Sequence, residues 1–417
     1  MTRAPDQPPD VLESKLFHRL LVLGNAPARW PSGIVPIPIM LAIAGTGFVW
    51  WLNTKDTVYS LWSALTLLIF TTADGLILLC LPRLRISFGP VAPQWYLLTA
   101  VRSLVGCILA LIIPWTGTTA ALAGLAVLNV MALAALLWGA LWEPSRIGVS
   151  YLTLHLHNPT TENVSLHLLH ISDIHVERLG RREGSLLQCI RDVHPDLILL
   201  TGDYINLSCV DDPISYAHAR QLLEMLCKEA ATLSPPPAIY AVLGSPPVDR
   251  NSAALFDDLP IRLLRNEIVL IEPHPGSPLA LIGIDCSQDL QRDAARLEQL
   301  APSIAQGIPR ILMYHSPELM PVASRLGIEL YLCGHTHGGQ IRVPLYGALV
   351  TSSQLGKRYE MGLYRNGNTH LYVSRGIGFE GLCAPRVRFL CPPEIILWQL
   401  YYPAHPHTVE TSVTKAL

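Results

Sequence analysis

The sequence predicts a four-helix transmembrane region followed by an α/β domain. Three observations favour this architecture. Four apolar stretches, each about 20 residues long and so able to cross a bilayer as a helix, occupy residues 34–52, 58–81, 95–113 and 118–142. After residue 150 the apolar runs shorten to strand length. Helical patterns separate several of these short runs, which is typical of α/β proteins.

Composition supports a membrane protein. Half of the 417 residues are hydrophobic and the apolar residues concentrate in the first third of the chain, while the mean hydropathy of +0.34 is high for a soluble protein. The formal net charge of −2 provides no general attraction to nucleic acid. We therefore expect a membrane, and no nucleic acid, as the chain's macromolecular environment.

Tryptophans near the ends of the apolar stretches support four spans, because indole rings prefer the membrane–water interface. Seven residues have this position: Trp50, Trp51, Trp62, Trp95, Trp115, Trp138 and Trp142. The alternative is that one or two stretches are buried helices of a soluble domain.

Basic residues predict how the spans are oriented. The segment before the first span contains Lys15, Arg19 and Arg29, and the loop between the second and third spans contains Arg83 and Arg85. The other two loops contain a single basic residue, Lys55. The positive-inside tendency then places the N-terminus in the cytoplasm. Because four spans return the chain to the same side, the α/β domain should also be cytoplasmic, and nine cysteines without a repeated spacing agree with a reducing compartment.

Two charged residues fall inside the predicted spans. Asp74 lies seven residues before the end of the second span and Arg102 seven residues after the start of the third. A short hairpin places them at similar depth, where an isolated charge costs about 2.5 to 3.5 kcal/mol. We expect an intramembrane ion pair; a ligand site or ion pathway is the alternative.

The chain divides into five predicted segments. These are a cytoplasmic N-terminal segment (1–33), the transmembrane region (34–142), a linker (143–150), the α/β domain (151–402) and a flexible tail (403–417). Predicted strands in the domain end at Ser172, Gly202 and Gly244, followed by LALIGI, RILMYH and IELYLCG. The segments REGSLLQCIRDV and YAHARQLLEMLCKEA have helical periodicity.

Polar motifs follow the ends of several of these strands, the usual position of α/β active sites. The motifs SDIH, GD, YHSPEL and GHTHGGQ supply six candidate metal ligands: Asp173, His175, Asp203, His315, His335 and His337. Ligands spaced at i and i+2 in extended chain point to the same side. A carboxylate can bridge two cations, which is the role expected of Asp203.

Each motif by itself is weak, and a single His is more often structural than metal-binding. The combination of four motifs at strand ends is what predicts a metal centre. By contrast, His155 and His157 alternate with apolar residues along a strand, so we interpret them as surface residues. Lys357 and Arg358 follow the ligand segment and are expected in a solvated turn.

These motifs resemble the calcineurin-like metallophosphoesterases, in particular their membrane-linked bacterial branch. The similarity extends from about Leu166 to Leu400 and includes LLRNE, GHTHGGQIRVP, YVSRGIG and PPEIILWQL. It implies two stacked mixed sheets flanked by helices, and two divalent cations, often Mn, Fe or Zn, that support hydrolysis of phosphate esters or anhydrides. It also implies a bacterial inner-membrane location.

The resemblance assigns roles to the six residues. Asp173, His175, Asp203 and His337 correspond to ligands of the first metal, and Asp203, His315 and His335 to ligands of the second. Asp203 and His315 are the implied catalytic residues. Relatives similar to UDP-2,3-diacylglucosamine hydrolases suggest a phosphorylated or lipid-linked pyrophosphate substrate.

The chain departs from the family at one turn. The family has a GNH motif in which Asn binds the second metal and His assists at the phosphoryl group, whereas this chain has Ser245 and Pro246. A hydroxyl is a weak ligand and Pro cannot transfer a proton, so we expect a weakened second site. Asn251 or His274 could take over the missing role.

Three function hypotheses follow. The preferred one is a membrane-anchored hydrolase that favours anhydrides or activated esters, whose leaving groups need no acid. The second is a metal-binding pseudoenzyme that acts as a membrane binding or sensing module. The third, a transporter or receptor function of the helical region, depends only on Asp74 and Arg102.

Overall fold

The computed structural model describes residues 23–156, 163–249, 251–381 and 383–404. The chain forms two units. The helical unit comprises the described residues up to Pro144 together with Glu380–Phe389, and the α/β unit comprises Ser145–Phe379 and the residues from Leu390 onward. Lys15, Arg19, His157 and residues 405–417 of the tail lie outside the described residues.

The helical unit contains four long helices: α1 (Pro36–Thr54), α2 (Thr57–Cys80), α3 (Val91–Leu111) and α4 (Thr118–Leu137). A short helical turn (Ile113–Thr116) precedes α4, and a π-helical turn (Trp138–Trp142) extends it. Asp56 begins α2 as its N-cap by accepting a hydrogen bond from Val58 N. All four are long and apolar enough to cross a membrane, so the prediction of four candidate spans is confirmed.

Side chains of α1 pack closely against the backbone of α3 at Gly106. A Cβ at Gly106 would lie only 2.8 Å from Thr46 Cγ2, and the Trp50 indole donates a hydrogen bond of 2.9 Å to the Gly106 carbonyl. Small residues at helix contacts allow this packing in membrane proteins. Trp50 is fully buried, with Leu67 and Leu125.

Asp74 and Arg102 form a bidentate ion pair inside the helical unit. Arg102 Nε lies 2.6 Å from Asp74 Oδ2 and Nη2 lies 2.7 Å from Oδ1. Arg102 Nη1 donates to Asn129 Oδ1 at 2.7 Å. Because both charges are buried and their hydrogen bonds are directed at each other, the geometry favours structural pairing over a ligand site.

Ten residues of the C-terminal half, Glu380–Phe389, belong to the helical unit. The Arg388 amide donates to the Gly139 carbonyl at 2.9 Å, and a Cβ at Gly139 would approach the Arg388 carbonyl oxygen to 2.9 Å. The α/β fold is therefore interrupted by a segment that packs with helices, a difference from the continuous 151–402 domain that the apolar pattern predicts.

The α/β unit contains two six-stranded mixed sheets. The first has the order β1-β14-β2-β3-β4-β5, with β1 Gly148–His155, β2 Asn163–Ile171, β3 Leu197–Leu200, β4 Ala238–Ala241, β5 Arg262–Leu263 and β14 Glu394–Pro403. The second has the order β12-β13-β9-β8-β7-β6, with β6 Glu267–His274, β7 Ser277–Gly283, β8 Arg310–Met313, β9 Leu330–Cys333, β12 Gly362–Asn366 and β13 Thr369–Val373. A hairpin of β10 (Arg342–Val343) and β11 (Gly347–Ala348) is separate.

The two sheets stack face to face. Leu168 and Trp398 of the first sheet share one buried cluster with Leu281, Ile311 and Leu332 of the second. Alternate residues of β2 point to opposite faces, so Leu169 and Ile171 pack instead against the helices that cover the first sheet. These helices are α5 (Arg181–Val193) and α6 (Pro213–Ala230); α7 (Leu290–Leu300) and α8 (Met320–Arg325) cover the second sheet.

This arrangement confirms the predicted fold class of stacked mixed sheets flanked by helices. The first predicted helix begins one residue from its observed start, and α6 begins three residues early because Asp212 caps it and Pro213 is its first residue. β2, β3 and β4 are parallel neighbours, as are β7, β8 and β9. The C-terminal ends of these strands therefore meet at one edge of each sheet.

Candidate metal centre

The six predicted ligands lie just beyond the C-terminal ends of four strands. Asp173 and His175 follow β2, Asp203 follows β3, His315 follows β8, and His335 and His337 follow β9. Since β2 and β3 belong to one sheet and β8 and β9 to the other, the residues come from both sheets. Both sheets thus contribute to one locus.

Two adjacent groups of ligand atoms result. The first contains Asp173, His175 and His337, and the second contains Asp203, His315 and His335, with the atoms of each group within 4.8 Å of one another. In the first, His175 Nε2 lies 3.0 Å from His337 Nε2, and His337 Nε2 lies 3.6 Å from Asp173 Oδ1. In the second, His335 Nδ1 lies 3.2 Å from His315 Nε2.

Asp203 connects the groups. Its Oδ2 atom lies 3.2 Å from His315 Nε2 and 3.6 Å from His175 Nε2. One carboxylate therefore faces imidazoles of both groups, which is the geometry a bridging ligand needs. The donor set of imidazole nitrogens and carboxylate oxygens fits divalent cations such as Mn, Fe or Zn. The assignment of each residue as a ligand remains a prediction.

The backbone at the site is unusual. Five of the six residues have positive φ angles: Asp173 (49°), His175 (45°), Asp203 (56°), His335 (72°) and His337 (51°). Residues other than Gly rarely adopt this left-handed conformation, and such strain of about 1–3 kcal/mol per residue clusters at functional sites. The strained loops turn the side chains of both groups toward a common centre.

Glycines on neighbouring segments allow the loops to approach. A Cβ at Gly334 would overlap Asp173 Oδ2, and one at Gly378 would lie 2.5 Å from His175 Cβ. The Asp173 amide donates to the Gly202 carbonyl and the His175 amide to the Asp203 carbonyl, both at 3.0 Å. These contacts hold the strained conformation in place.

Backbone carbonyls orient two of the imidazoles. His315 Nδ1 lies 2.8 Å from the Thr201 carbonyl oxygen and His175 Nδ1 lies 3.3 Å from the Ile205 carbonyl oxygen. Because a carbonyl only accepts hydrogen bonds, each Nδ1 carries the proton, and in the neutral ring Nε2 presents its lone pair to the site. Such partners fix the tautomer of metal-binding His in general.

Burial and charge shift the titration of the site. Burial raises the pKa of Asp173 to about 6 and lowers that of His175 to about 4. Burial also acts to lower the pKa of His315, but the carboxylates of Asp203 and Asp173 outweigh it and hold the value at about 10. Burial likewise opposes ionisation of Asp203, yet His315 and its neighbours hold the Asp203 pKa below its ordinary value.

Ser245 and Pro246 lie next to the second group. The Ser245 amide donates to Asp203 Oδ1 at 2.7 Å, and Ser245 Oγ lies 3.3 Å from His335 Nδ1. Pro246 begins a helical turn, Pro246–Asp249, and has no N–H or side-chain proton to donate. Ser245 therefore contacts two of the candidate ligands, Asp203 and His335.

Asp249, at the end of this turn, was missed by the sequence argument. Its carboxylate accepts hydrogen bonds from the amides of Asp203 (2.8 Å), Tyr204 (3.1 Å) and Gly244 (2.7 Å). Burial, together with the nearby Asp203 carboxylate, raises the pKa of Asp249 to about 7. The only sequence signal is an acid five residues after Gly244, the end of a predicted strand.

Other candidate residues have different surroundings. Asn251 is exposed, and His274 Nε2 lies 2.8 Å from the Ser165 carbonyl oxygen; within the described ranges no contact joins either to the six residues. His155 stacks on the Tyr401 ring with centroids 4.8 Å apart. Lys357 and Arg358 are exposed, and Lys357 Nζ donates to the Tyr346 carbonyl.

Comparison with known proteins gives the family. The calcineurin-like phosphoesterase model matches residues 166–339. The chain is 30% identical to the metallophosphoesterase YkuE of Bacillus subtilis (strain 168), over 56% of this chain and 78% of YkuE. It is 32% identical to the phosphodiesterase YaeI of Escherichia coli (strain K12), over 49% of this chain and 70% of YaeI.

A more distant relative is the UDP-2,3-diacylglucosamine pyrophosphatase LpxG of Chlamydia trachomatis serovar D, which is 23% identical over 64% of this chain and 92% of LpxG. The region that matches the family model, residues 166–339, contains all six candidate ligands. Strands of both stacked sheets lie in this region. The chain belongs to the calcineurin-like phosphoesterase family.

Proposed function

We propose that this chain is a membrane-anchored phosphoesterase that uses two divalent cations to hydrolyse a phosphate ester or pyrophosphate bond of a lipid-linked substrate. The observation that supports it most is Asp203, whose carboxylate faces His315 of one group at 3.2 Å and His175 of the other at 3.6 Å. Bound cations would withdraw charge from the phosphoryl oxygens and make a water molecule a stronger acid.

The protein's own residues determine which type of phosphate bond can be cleaved. Asp203 and His315 lie side by side at the centre of the site, and His335 connects His315 to Ser245. Pro246 cannot protonate a departing oxygen. Loss of a positioned acid costs about 10²- to 10⁴-fold in rate when the leaving group needs a proton. The site therefore favours pyrophosphates and aryl esters, whose leaving groups depart as anions.

A comparison of substrates tests this preference. The purified full-length protein with Mn²⁺ should hydrolyse a pyrophosphate and an aryl phosphodiester at least about 10²-fold faster than an alkyl monoester. The double variant Ser245→Asn with Pro246→His should raise alkyl ester hydrolysis most, because it restores the family's ligand and acid. Equal rates on alkyl and aryl esters in the unmodified protein would contradict the proposal.

A metal-binding pseudoenzyme is the second candidate, and Ser245 and Pro246 favour it. Metal content separates the two functions: two cations per chain support the hydrolase, one supports the binding module, and none contradicts both. Asp203→Asn should lower the occupancy of both cations because this carboxylate faces both groups. His274→Ala is the matched control, since its ring contacts the Ser165 carbonyl, and it should keep the full metal content.

The substrate and location are inferred from the helices and from LpxG. A domain tethered to a bilayer meets lipid headgroups at high effective concentration, and the name of LpxG describes a pyrophosphatase that acts on a diacylated sugar nucleotide. We extend this to a lipid-linked pyrophosphate at the cytoplasmic face of a bacterial inner membrane. Hydrolysis of vesicle-borne lipid pyrophosphates by the reconstituted protein tests the substrate class.

A further inference from the structure

The hairpin that follows the ligand segment exposes a cluster of apolar side chains. We call residues 343–350 the apolar hairpin; β10 and β11 pair at its base. Leu345 is completely exposed at its tip, and the same segment exposes Tyr346 (60%), Leu349 (53%), Val343 (41%) and Val350 (42%). Single exposed apolar residues are common, but five within an eight-residue segment indicate an interaction surface.

The base of the apolar hairpin is fixed to the metal centre. Arg342 Nη1 donates to the Gly338 carbonyl at 2.8 Å and pairs with Glu360 at 2.9 Å. Glu360 also accepts from the Ala348 amide at 3.2 Å, and its carbonyl accepts from Thr336 Oγ1 at 2.6 Å. Thr336 and Gly338 flank His337. A molecule that binds the apolar hairpin would therefore lie beside the ligand group that contains His337.

A basic residue, Lys357, lies against the apolar tip. Lys357 Nζ lies 3.4 Å from the centroid of the Tyr346 ring and 2.7 Å from the Tyr346 carbonyl oxygen, and Arg358 is exposed next to it. Lys357 and Arg342 both pair with the carboxylate of Glu360, at 3.6 Å and 2.9 Å. An apolar tip with Tyr and Lys at its rim matches the profile of a membrane surface, where lipid tails lie beneath anionic headgroups.

We infer that the apolar hairpin inserts its tip into the lipid layer of the membrane and brings bilayer lipids to the metal centre. The inference rests on the proposed function, since it names the lipid surface from which that site draws its substrate. The chain's four candidate spans favour a bilayer as the occupant. A tethered domain needs only weak insertion, because the tether raises the effective lipid concentration.

Photo-crosslinking tests the insertion without requiring catalysis. The full-length protein carries p-benzoylphenylalanine in place of Leu345 and is reconstituted in vesicles of phosphatidylethanolamine and phosphatidylglycerol. The matched control carries it in place of Leu270, which is 58% exposed on β6. We expect lipid adducts at position 345 to exceed those at 270 by about 10-fold. Adducts with a second protein copy, or equal adducts at both positions, would overturn the inference.

Activity provides a second readout. In the double variant Leu345→Asn with Leu349→Asn, hydrolysis of a lipid pyrophosphate in vesicles should fall about 10-fold more than hydrolysis of bis(p-nitrophenyl) phosphate in solution. Leu270→Asn should change neither rate. Equal loss on both substrates, or no loss, counts against insertion. If the unmodified protein with Mn²⁺ cleaves neither substrate, the proposed function fails, whereas the crosslinking result still decides the inference.

Discussion

Asp249 illustrates how a residue outside the candidate ligand set can hold the loops of the candidate metal centre together. Its carboxylate holds the amides of Asp203, Tyr204 and Gly244, and so ties the loop after β3 to the loop after β4. The side chain of Asp203, which faces both ligand groups, depends on this loop for its position. Asp249 therefore acts as a positioning residue.

Replacing Asp249 by Asn should lower Mn²⁺ affinity about 10- to 100-fold, the usual effect of removing a group that orients a metal ligand. An amide has one acceptor oxygen, and its NH₂ group would oppose a backbone N–H. The affinity is measured by calorimetric titration of the chelator-treated protein. Asp211→Asn, on an exposed residue, is the control. Unchanged affinity in Asp249→Asn would show that the loops hold without this carboxylate.

His170, at the end of β2, makes stability depend on pH. It is fully buried, its Nε2 lies 2.8 Å from Thr201 Oγ1, and burial lowers its pKa from 6.5 to about 3. The folded chain therefore keeps this ring neutral between pH 6.5 and 3, whereas the unfolded chain protonates it. Because the unfolded state then binds more protons, stability falls as the pH drops below about 6.5.

At pH 5.5, one unit below the unfolded pKa, this effect amounts to about 1.4 kcal/mol. His170→Gln should remove that part of the loss between pH 7.5 and 5.5, and His155→Gln, on an exposed ring, should retain it. The free energy of unfolding is measured by urea denaturation with hydrogen–deuterium exchange of peptides from β2. The same pH dependence in wild type and His170→Gln would contradict a neutral buried ring.

The sequence predicts the strands that carry the polar motifs better than it predicts the backbone conformation of the loops that follow them. Apolar runs that end in Ser172, Gly202 and Gly244 predict β2, β3 and β4, because a buried parallel strand is apolar on both faces. The chain's polar motifs then fall at one sheet edge without further information. The positive φ angles of Asp173 and His175 could not be predicted, since they depend on hydrogen bonds to Gly202 and Asp203 that are distant in sequence.

The same limit applies to two longer segments. Glu380–Phe389 has no apolar periodicity that indicates packing with helices, and its contacts, such as Arg388 with Gly139, join residues that are far apart in the sequence. The exposed tip at Leu345 has the composition of a buried strand. Only the structure distinguishes an apolar residue in the core from one at the surface.

The contact between α2, α3 and α4 includes a hydrogen-bonded group formed by the Asp74–Arg102 ion pair and Asn129. Arg102 gives two hydrogen bonds to Asp74 and one to Asn129 Oδ1, so removing either charge leaves the other buried without its partner. Asp74→Asn or Arg102→Gln should each reduce the yield of folded protein, at a cost of about 2.5 to 3.5 kcal/mol.

The exchange Asp74→Arg with Arg102→Asp should restore part of that yield. Recovery is partial because Asn129 Oδ1, an acceptor for Arg102, would then face a carboxylate. Fluorescence-detected gel filtration of solubilised protein measures the yield, and Asp56→Asn, which keeps a capping side chain at the start of α2, is the control. No recovery in the exchanged variant would argue against simple pairing and for a site that needs these charges in place.

The proposed function combines a membrane tether with a catalytic domain, so the side of the membrane on which the α/β unit lies would decide which lipids it could reach. Arg29 precedes α1, and Arg83 and Arg85 lie exposed between α2 and α3, whereas Lys55 alone lies between α1 and α2. Basic loops remain in the cytoplasm, and four spans return the chain to its starting side. We therefore expect the metal centre to face the cytoplasm.

Fusions made in a bacterial host test this orientation. Alkaline phosphatase, which needs an oxidising compartment for its disulfides, should be inactive when fused after residue 404 and active when inserted after Lys55. Green fluorescent protein fused after residue 404 should fluoresce. The reverse pattern would place the α/β unit outside the cytoplasm, where its metal-binding candidates would meet lipids of the outer leaflet and its six cysteines would meet oxidising conditions. A cytoplasmic pyrophosphate substrate would then be excluded, while the two-metal chemistry would remain open to direct assay.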